Sequence, residues 1–352
     1  MRYKNKIILI LISTLLVSAF LGGCKKEEDK EPLSKTEFMM DTVMTIKLYD
    51  KKDEVILDKS FDRIREIEDK MSITIEDSDV SKINKNAGKN PVKVDDEVYE
   101  ILTRAKYFAE LTDGAYEPTI GPLVDLWNIR NEGKNNKHDI PSKEDIEKAL
   151  NKVDYKKLEL LEDNKVFLKE EGMKLDLGGI AKGYAADEIK KILKENGVNS
   201  AIVDLGGNIY AVGSKGQDEY WKIGIQNPQE QRGSYVGIIE VKDSSVVTSG
   251  DYERYFEVNG KRYHHIIDSK TGYPSDNELS AISIIAKSST DSDALSTALF
   301  VLGREKSKEV LKELEDIEVL YVTKSDNIYI SPGIKDRFDL NNNNFDLKIN
   351  EY

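Results

Sequence analysis

A chain of 352 residues has the material for one large or two ordinary folded units, and a composition of 39% hydrophobic and 33% charged residues is that of a soluble globular body. The formal net charge of -13 argues against nucleic acid as a partner, since phosphate backbones are held by basic surfaces. A single cysteine, Cys24, excludes an intrachain disulfide and a Cys-rich metal site.

In chain order, Arg2, Lys4 and Lys6 precede an apolar run from Ile7 to Leu21, followed by Gly22-Gly23-Cys24 and the charged stretch Lys25 to Glu31. The run is short for a membrane-spanning helix and is flanked like a secretory signal. Leu21-Gly22-Gly23-Cys24 resembles the bacterial lipobox, whose cysteine becomes the lipidated first residue. The expected organisation is a signal peptide over 1–23, a solvated tether over 24–35, one folded domain over 36–335 and a C-terminal tail over 336–352. The expected location is the outer face of the cell membrane, or its periplasmic side where a second membrane exists, with Cys24 as the anchor. Removal of residues 1–23 would leave a net charge of -16.

Leu57, Phe61, Ile64, Ile67 and Met71 recur at helical spacing, as do Ile101, Ala105 and Phe108, so helices are expected over 54–71 and 97–111. The polar stretch 71–84 between them reads as a loop with a short helical turn. Gly114 to Trp127 reads as a loop of fixed shape carrying aromatics, in which Trp127 and Leu123 either anchor the loop or face a planar ligand ring. Gly133 to His138 reads as a surface loop, and a short helix follows Ser142, whose spacing to Asp145 is that of a capping box. Beyond about residue 158 a helix is expected over 179–196, and strand patterns dominate to 286. They cover Ser200–Asp204, Asn208–Val212, Trp221–Gln226, Val236–Val241, Ser245–Thr248 and Ser280–Ala286. Asn259-Gly260 marks a hairpin between Arg254–Val258 and Lys261–Ile267. A helix over Asp293–Leu302 stopping at Gly303, another over Lys306–Leu314, and strands Ile317–Thr323 and Asn327–Ser331 complete the pattern. The expected fold class is α+β: mixed, largely antiparallel sheets with packed helices, in one compact unit or two lobes.

Asp-Leu-Gly-Gly occurs twice, at 176–179 and 204–207. The first copy opens a helix and carries Lys182; a Gly-rich turn there offers backbone N–H groups and the helix dipole to an anion. The second copy turns between strands. An acidic protein that binds pyrophosphate needs compensating positive charge, which points to a cation. Asp293 and Thr297, four residues apart on a helix, present a carboxylate and a hydroxyl on one side, hard-oxygen ligation suited to Mg²⁺, although Asp293 as a plain helix cap accounts for the pair as well. His264 and His265 are adjacent in a strand and face opposite ways, so a given site receives one of them.

With these segments in order, the chain resembles the ApbE family of FAD:protein FMN transferases. The resemblance rests on Met39–Thr42, Met71–Asn84, Gly114–Trp127, Asp176–Ile189, Asp204–Gly213, Trp221–Pro228, Thr248–Arg254, His265–Pro274 and Asp293–Gly303. It implies an ApbE, T-fold-like architecture that binds FAD as substrate with Mg²⁺ on the pyrophosphate. It further implies transfer of FMN to a threonine hydroxyl of an acceptor protein, such as a subunit of an ion-pumping redox complex, with release of AMP. Its implied metal ligands are Asp293, Thr297 and the carbonyl of Gly179. The implied flavin-nucleotide contacts are Met40, Thr74, Ala115, Tyr116, Glu117, Thr119, Asp176, Lys182, His265 and Ile266. For catalysis the candidates are His265 as base, Asp293 and Lys182. The chain departs from the family pattern with Asp41 for a usual Gly, Glu117 for a frequent Asp and Thr74 for a common aromatic. A Mg²⁺-dependent FAD pyrophosphatase and a non-catalytic flavin-binding lipoprotein are the alternatives from the same residues.

Overall fold

The domain is built on a nine-stranded sheet whose first two strands, β1 (Leu33–Met39) and β2 (Thr42–Leu48), are joined by a two-residue turn at Met40-Asp41. A computed structural model describes residues 31–129, 139–216, 218–231 and 233–350. The expected signal peptide, Cys24 and His138 lie outside these residues. Both turn residues have positive φ, 47° and 59°, the conformation whose twist suits a hairpin and which Asp tolerates better than most residues. This hairpin carries no Asn-Gly signal, which is why the sequence pattern gives no indication of it.

Helix α1 (Glu54–Met71) forms as expected, capped by the Asp53 side chain on the Val55 amide, and buries Leu57, Phe61, Ile64, Ile67 and Met71. The short helix α2 (Asp79–Lys85) follows, capped by Ser78. Strand β3 (Val92–Lys93) precedes α3 (Asp96–Leu111). Residues 121–127, expected to be loop, form helix α4 (Gly121–Trp127), because Pro122 lies in the first turn, where no intrahelical N–H is missed. Ser142 caps α5 (Lys143–Leu150) through the Asp145 amide at 3.1 Å, the geometry expected of that spacing.

Strands β4 (Leu158–Leu161) and β5 (Lys165–Leu168) join β3 in a small sheet. Helix α6 (Ala181–Glu195) leads to β6 (Ser200–Leu205) and β7 (Asn208–Gly213), with the second Asp-Leu-Gly-Gly turning between them at positive φ. Strands β8 (Trp221–Gln226) and β9 (Tyr235–Val241) form a side sheet, and β10 (Ser244–Gly250) returns to the main one. The hairpin β11 (Tyr255–Val258) and β12 (Lys261–His264) is shorter than expected, and beyond it the His265 amide makes one further bond, to the Arg254 carbonyl at 3.0 Å.

Strand β13 (Leu279–Ala286) is buried along its whole length, with α7 (Ser289–Lys312) on one face and the side sheet on the other. Helix α7 starts four residues before Asp293, so Asp293 is not its cap: the Ser288 side chain takes that role on the Asp291 amide, reinforced by Asp187 of α6 on the Ser289 and Thr290 amides. Gly303, at φ 74° and ψ 170°, breaks α7 where the sequence places a stop. Strands β14 (Glu318–Thr323) and β15 (Asn327–Ile330) follow. Residues 336–352, expected to be a tail, contribute β16 (Phe338–Leu340) beside β9 and β17 (Asp346–Ile349) parallel to β15. Buried Phe338 and Phe345 supply the apolar surface that holds this segment down.

The main sheet runs β1-β2-β6-β7-β10-β13-β14-β15-β17, antiparallel except for its last pair, with α1, α6 and α7 packed on one face and α3 packed against α7 and β4. Residues from Leu33 onward form one compact unit. The α+β reading with largely antiparallel sheets holds, and the two-lobed alternative does not.

Candidate active site

A cavity of about 500 Å³ opens where the β1–β2 turn, the first Asp-Leu-Gly-Gly, the start of α6, α7 and the residues after β12 converge. Residues 118–121 run alongside 174–176: the Asp176 amide donates to the Pro118 carbonyl at 2.8 Å and the Gly121 amide to the Lys174 carbonyl at 3.1 Å. Asn84 of α2 fixes the same segment by pairing both its amide atoms with the backbone of Leu175. These bonds set Tyr116 and Glu117 beside Asp176 on one wall. Ile180 gives the N-terminus of α6 no side-chain cap; instead the Ala181 amide donates to the Leu177 carbonyl at 2.9 Å and the Gly183 amide to Asp293 of α7.

Asp293 is 4% exposed. Its Oδ2 accepts from the Gly183 amide at 2.9 Å, which fixes the carboxylate against the first turn of α6. Lys182 Nζ stands 3.4 Å from Oδ1 and donates to the Gly178 carbonyl at 2.9 Å. Close packing makes this possible, since a methyl group at Gly183 would lie 2.2 Å from the Ser289 carbonyl oxygen and 2.8 Å from the Asp293 Cβ. Thr297, one turn on, approaches Gly179 so closely that a methyl group there would lie 3.0 Å from Thr297 Oγ1. The Asp293 carboxylate, the Thr297 hydroxyl and the backbone of Gly179 therefore border one cavity, and hard oxygens of this kind fit Mg²⁺, which takes few protein ligands. Among the described residues no three His, Cys, Asp or Glu side chains gather into a metal cluster.

On the same wall, the Tyr116 hydroxyl is buried without a hydrogen-bond partner among the described residues. Burial, then the charges of Asp293 and Asp176, raise its pKa well above the usual value and keep it a donor. Glu117 is pushed up to about 7 by burial, although Thr119 and the Tyr155 amide donate to its carboxylate. Across the cavity, His265 Nδ1 lies 3.3 Å from the Arg254 carbonyl, which assigns that nitrogen the proton and leaves Nε2 as the acceptor. Burial, His264 and Arg254 lower the His265 pKa to about 3, so the ring is neutral at physiological pH. His264 faces away, bonded through Nε2 to the Ser275 carbonyl, as the strand alternation requires.

The family model described as the ApbE family matches residues 40–321 of this chain. The chain belongs to the ApbE family. An ApbE relative from Treponema pallidum (strain Nichols), named FAD:protein FMN transferase, is 37% identical over 335 residues, covering 90% of this chain and 91% of its own length. One of the same name from Klebsiella pneumoniae (strain 342) is 38% identical over 311 residues, covering 88% and 95%. The crystal structure of the ApbE protein of Thermotoga maritima superimposes with a TM-score of 0.79 at 37% identity, covering 87% of this chain and 99% of that one.

Of the residues singled out from sequence, Met40, Thr74, Ala115, Tyr116, Glu117, Asp176, Gly179, Lys182, His265, Ile266, Asp293 and Thr297 all line this ApbE cavity. Thr119 does not. It is fully buried behind Glu117, donates to it at 2.7 Å, and accepts from the Asp154 amide, so it supports the wall without facing the cavity. Thr74, on the rim, exchanges a hydrogen bond with Ser72 and brings no ring to stack. Trp127 lines the cavity yet is anchored, stacked on Tyr263 and donating to the Gly272 carbonyl at 2.8 Å.

Sequence reasoning passed over Arg254, which lines the cavity and donates to the Asp41 carbonyl at 2.6 Å, and Glu68, which accepts from the Met40 amide at 2.9 Å. Arg254 lay within a matched motif but had no partner in the sequence. Its role depends on a hairpin tip more than 200 positions away.

Proposed function

We propose that this chain transfers FMN from FAD to a threonine hydroxyl of an acceptor protein, releasing AMP, with Mg²⁺ held by Asp293, Thr297 and the Gly179 carbonyl. The observation that carries this reading is the meeting, in one cavity, of Asp293, Thr297 and Gly179 with Lys182 and a neutral histidine. Bound there, Mg²⁺ supplies Lewis-acid neutralisation of the pyrophosphate. The chain's own residues do the rest. Lys182 leaves Asp293 for the substrate's negative charge and orients the phosphates. His265 Nε2 takes the proton from the threonine hydroxyl as its oxygen bonds to the FMN phosphorus. The bond from that phosphorus to the bridging oxygen breaks, and the oxygen departs with AMP. With Cys24 as a lipid anchor, the acceptor would be a membrane-associated protein outside the cytoplasm, a subunit of an ion-pumping redox complex being the type expected.

The deciding experiment incubates the protein with FAD, Mg²⁺ and an acceptor protein of that type, followed by mass analysis. An FMN adduct on threonine with stoichiometric AMP is expected; free FMN and AMP without an adduct would make the protein a pyrophosphatase, and intact FAD would make it a flavin-binding protein.

The ionisation of the cavity sets a pH dependence. A base whose pKa is lowered to about 3 stays unprotonated through the neutral range, so transfer should show no loss attributable to His265 from about pH 5 to 8. Glu117 works in the opposite direction: above about 7 it becomes a buried anion in the wall, and FAD affinity should weaken as pH rises through that value. Glu117→Gln should flatten the binding profile, and His265→Ala should lower the transfer rate by about 10²-fold or more at every pH. A profile that falls below pH 6.5 and is restored by no change at Glu117 would contradict this assignment.

A further inference from the structure

The outer edge of β1 borders the mouth of the cavity. Met39 and Thr42 flank the two-residue turn and exchange backbone bonds, so the antiparallel alternation directs Lys35, Glu37 and Met39 toward β2. The N–H and C=O groups of Ser34, Thr36 and Phe38 then point away from the sheet. The Thr36 and Thr45 hydroxyls, 2.9 Å apart, mark their pair as one of the close, non-bonded ones and agree with this register. Among the described residues no strand lies beyond β1, and no backbone bond from elsewhere reaches Ser34, Thr36 or Phe38.

This edge lacks the usual protection. Edge strands are commonly short, charged, bulged or interrupted by Pro. The opposite edge, β17, is four residues long and carries Asp346 and Lys348. β1 runs seven residues in unbroken register, and its two charges, Lys35 and Glu37, are engaged on the inner face with Asp58 and Arg65. Its free face ends in Phe38, 71% exposed, opposite Val43, 50% exposed. Both line the cavity mouth, as does Met40 just beyond them.

We propose that the acceptor protein docks as an extended segment added to the free edge of β1, with an apolar side chain on Phe38 and Val43 and its threonine carried past Met40 into the cavity. This rests on the FMN transfer proposed above. Main-chain bonding gives affinity with little demand on sequence, and the apolar pair sets the register of the nucleophile. The edge leads from the surface to the one place where a macromolecular hydroxyl must enter.

Two variants and one exchange measurement test it. Thr36→Pro removes an outward N–H that β2 does not use, and Thr36→Lys places a charge beside the docking edge while keeping the backbone. Both should raise the KM for the acceptor protein about tenfold, with the FAD dissociation constant and melting temperature unchanged. Amide hydrogen exchange at Ser34, Thr36 and Phe38 should slow when the wild-type protein is saturated with an acceptor whose threonine is replaced by alanine. Wild-type acceptor KM in both variants, or no slowing at these amides, overturns the proposal. Slowing that follows enzyme concentration without acceptor would assign the edge to a second copy and also overturn it. Failure of the wild-type protein to form any adduct would instead count against the proposed function, and the exchange measurement reads docking independently of it.

Discussion

Asp293→Ala is expected to reduce FMN transfer by about 10³-fold while the protein stays folded. Asp293 is buried on α7, oriented by the Gly183 amide of α6 and faced by Lys182, so it joins two elements that border the cavity. Truncation removes the carboxylate proposed above to hold Mg²⁺ and leaves Lys182 with the Gly178 carbonyl alone. Asp293→Asn separates charge from shape, since it keeps an oxygen for the Gly183 amide and loses the anion. A comparable loss in Asn and Ala would assign the effect to charge. Retention of more than about a tenth of wild-type transfer by the Ala variant, measured as adduct mass under single-turnover conditions in Mg²⁺, would remove Asp293 from the centre.

Gly183→Ala should damage both stability and activity. The added methyl group meets the Ser289 carbonyl oxygen at 2.2 Å, a backbone atom that no rotamer change can move, so α6 and α7 must separate. Overpacking of this kind costs about 1–3 kcal/mol, which for a domain of this size lowers the melting temperature by roughly 1–5 °C. Separation also displaces Lys182 from Asp293, and transfer should fall with it. Gly179→Ala is the informative contrast. Its methyl group would meet Thr297 Oγ1 at 3.0 Å and the Tyr116 ring at 3.4 Å, side chains of the cavity wall rather than backbone. Transfer should fall there with the melting temperature close to wild type. Equal melting temperatures for the Gly183 and wild-type proteins would show that the two helices have room the packing does not indicate.

Periodicity made α1, α3 and the strands from β6 to β14 legible, because each buries one face against a common core and so repeats its apolar residues at the period of the element. The β1–β2 hairpin was not legible: Met40-Asp41 adopts a left-handed turn without a glycine, and β1 carries charged Lys35 and Glu37 on its inner face and an exposed Phe38 on its outer one, which masks its alternation. Helix α4 was hidden by Gly121-Pro122, which read as a break and instead forms a first turn. The last strands, β16 and β17, lay in a segment of Asn and charged residues whose two buried phenylalanines gave little periodic signal.

For the site, the ordered motifs named the family and gathered nearly all of the residues that line the cavity, because residue types and local spacing survive in the linear chain. Carboxylate and hydroxyl at a four-residue interval are legible as one side of a helix wherever that helix starts. What the sequence left open was whether Asp293 caps its helix. Only the packing decided it: α7 begins at Ser289 under the caps of Ser288 and Asp187, and the glycine at 183 lets α6 come close enough for its amide to hold the carboxylate. The neutral state of His265, the removal of Thr119 from the cavity and the free edge of β1 are likewise tertiary properties. Each depends on which distant segment covers a group, and that follows from the fold of the whole chain rather than from any residue's neighbours in sequence.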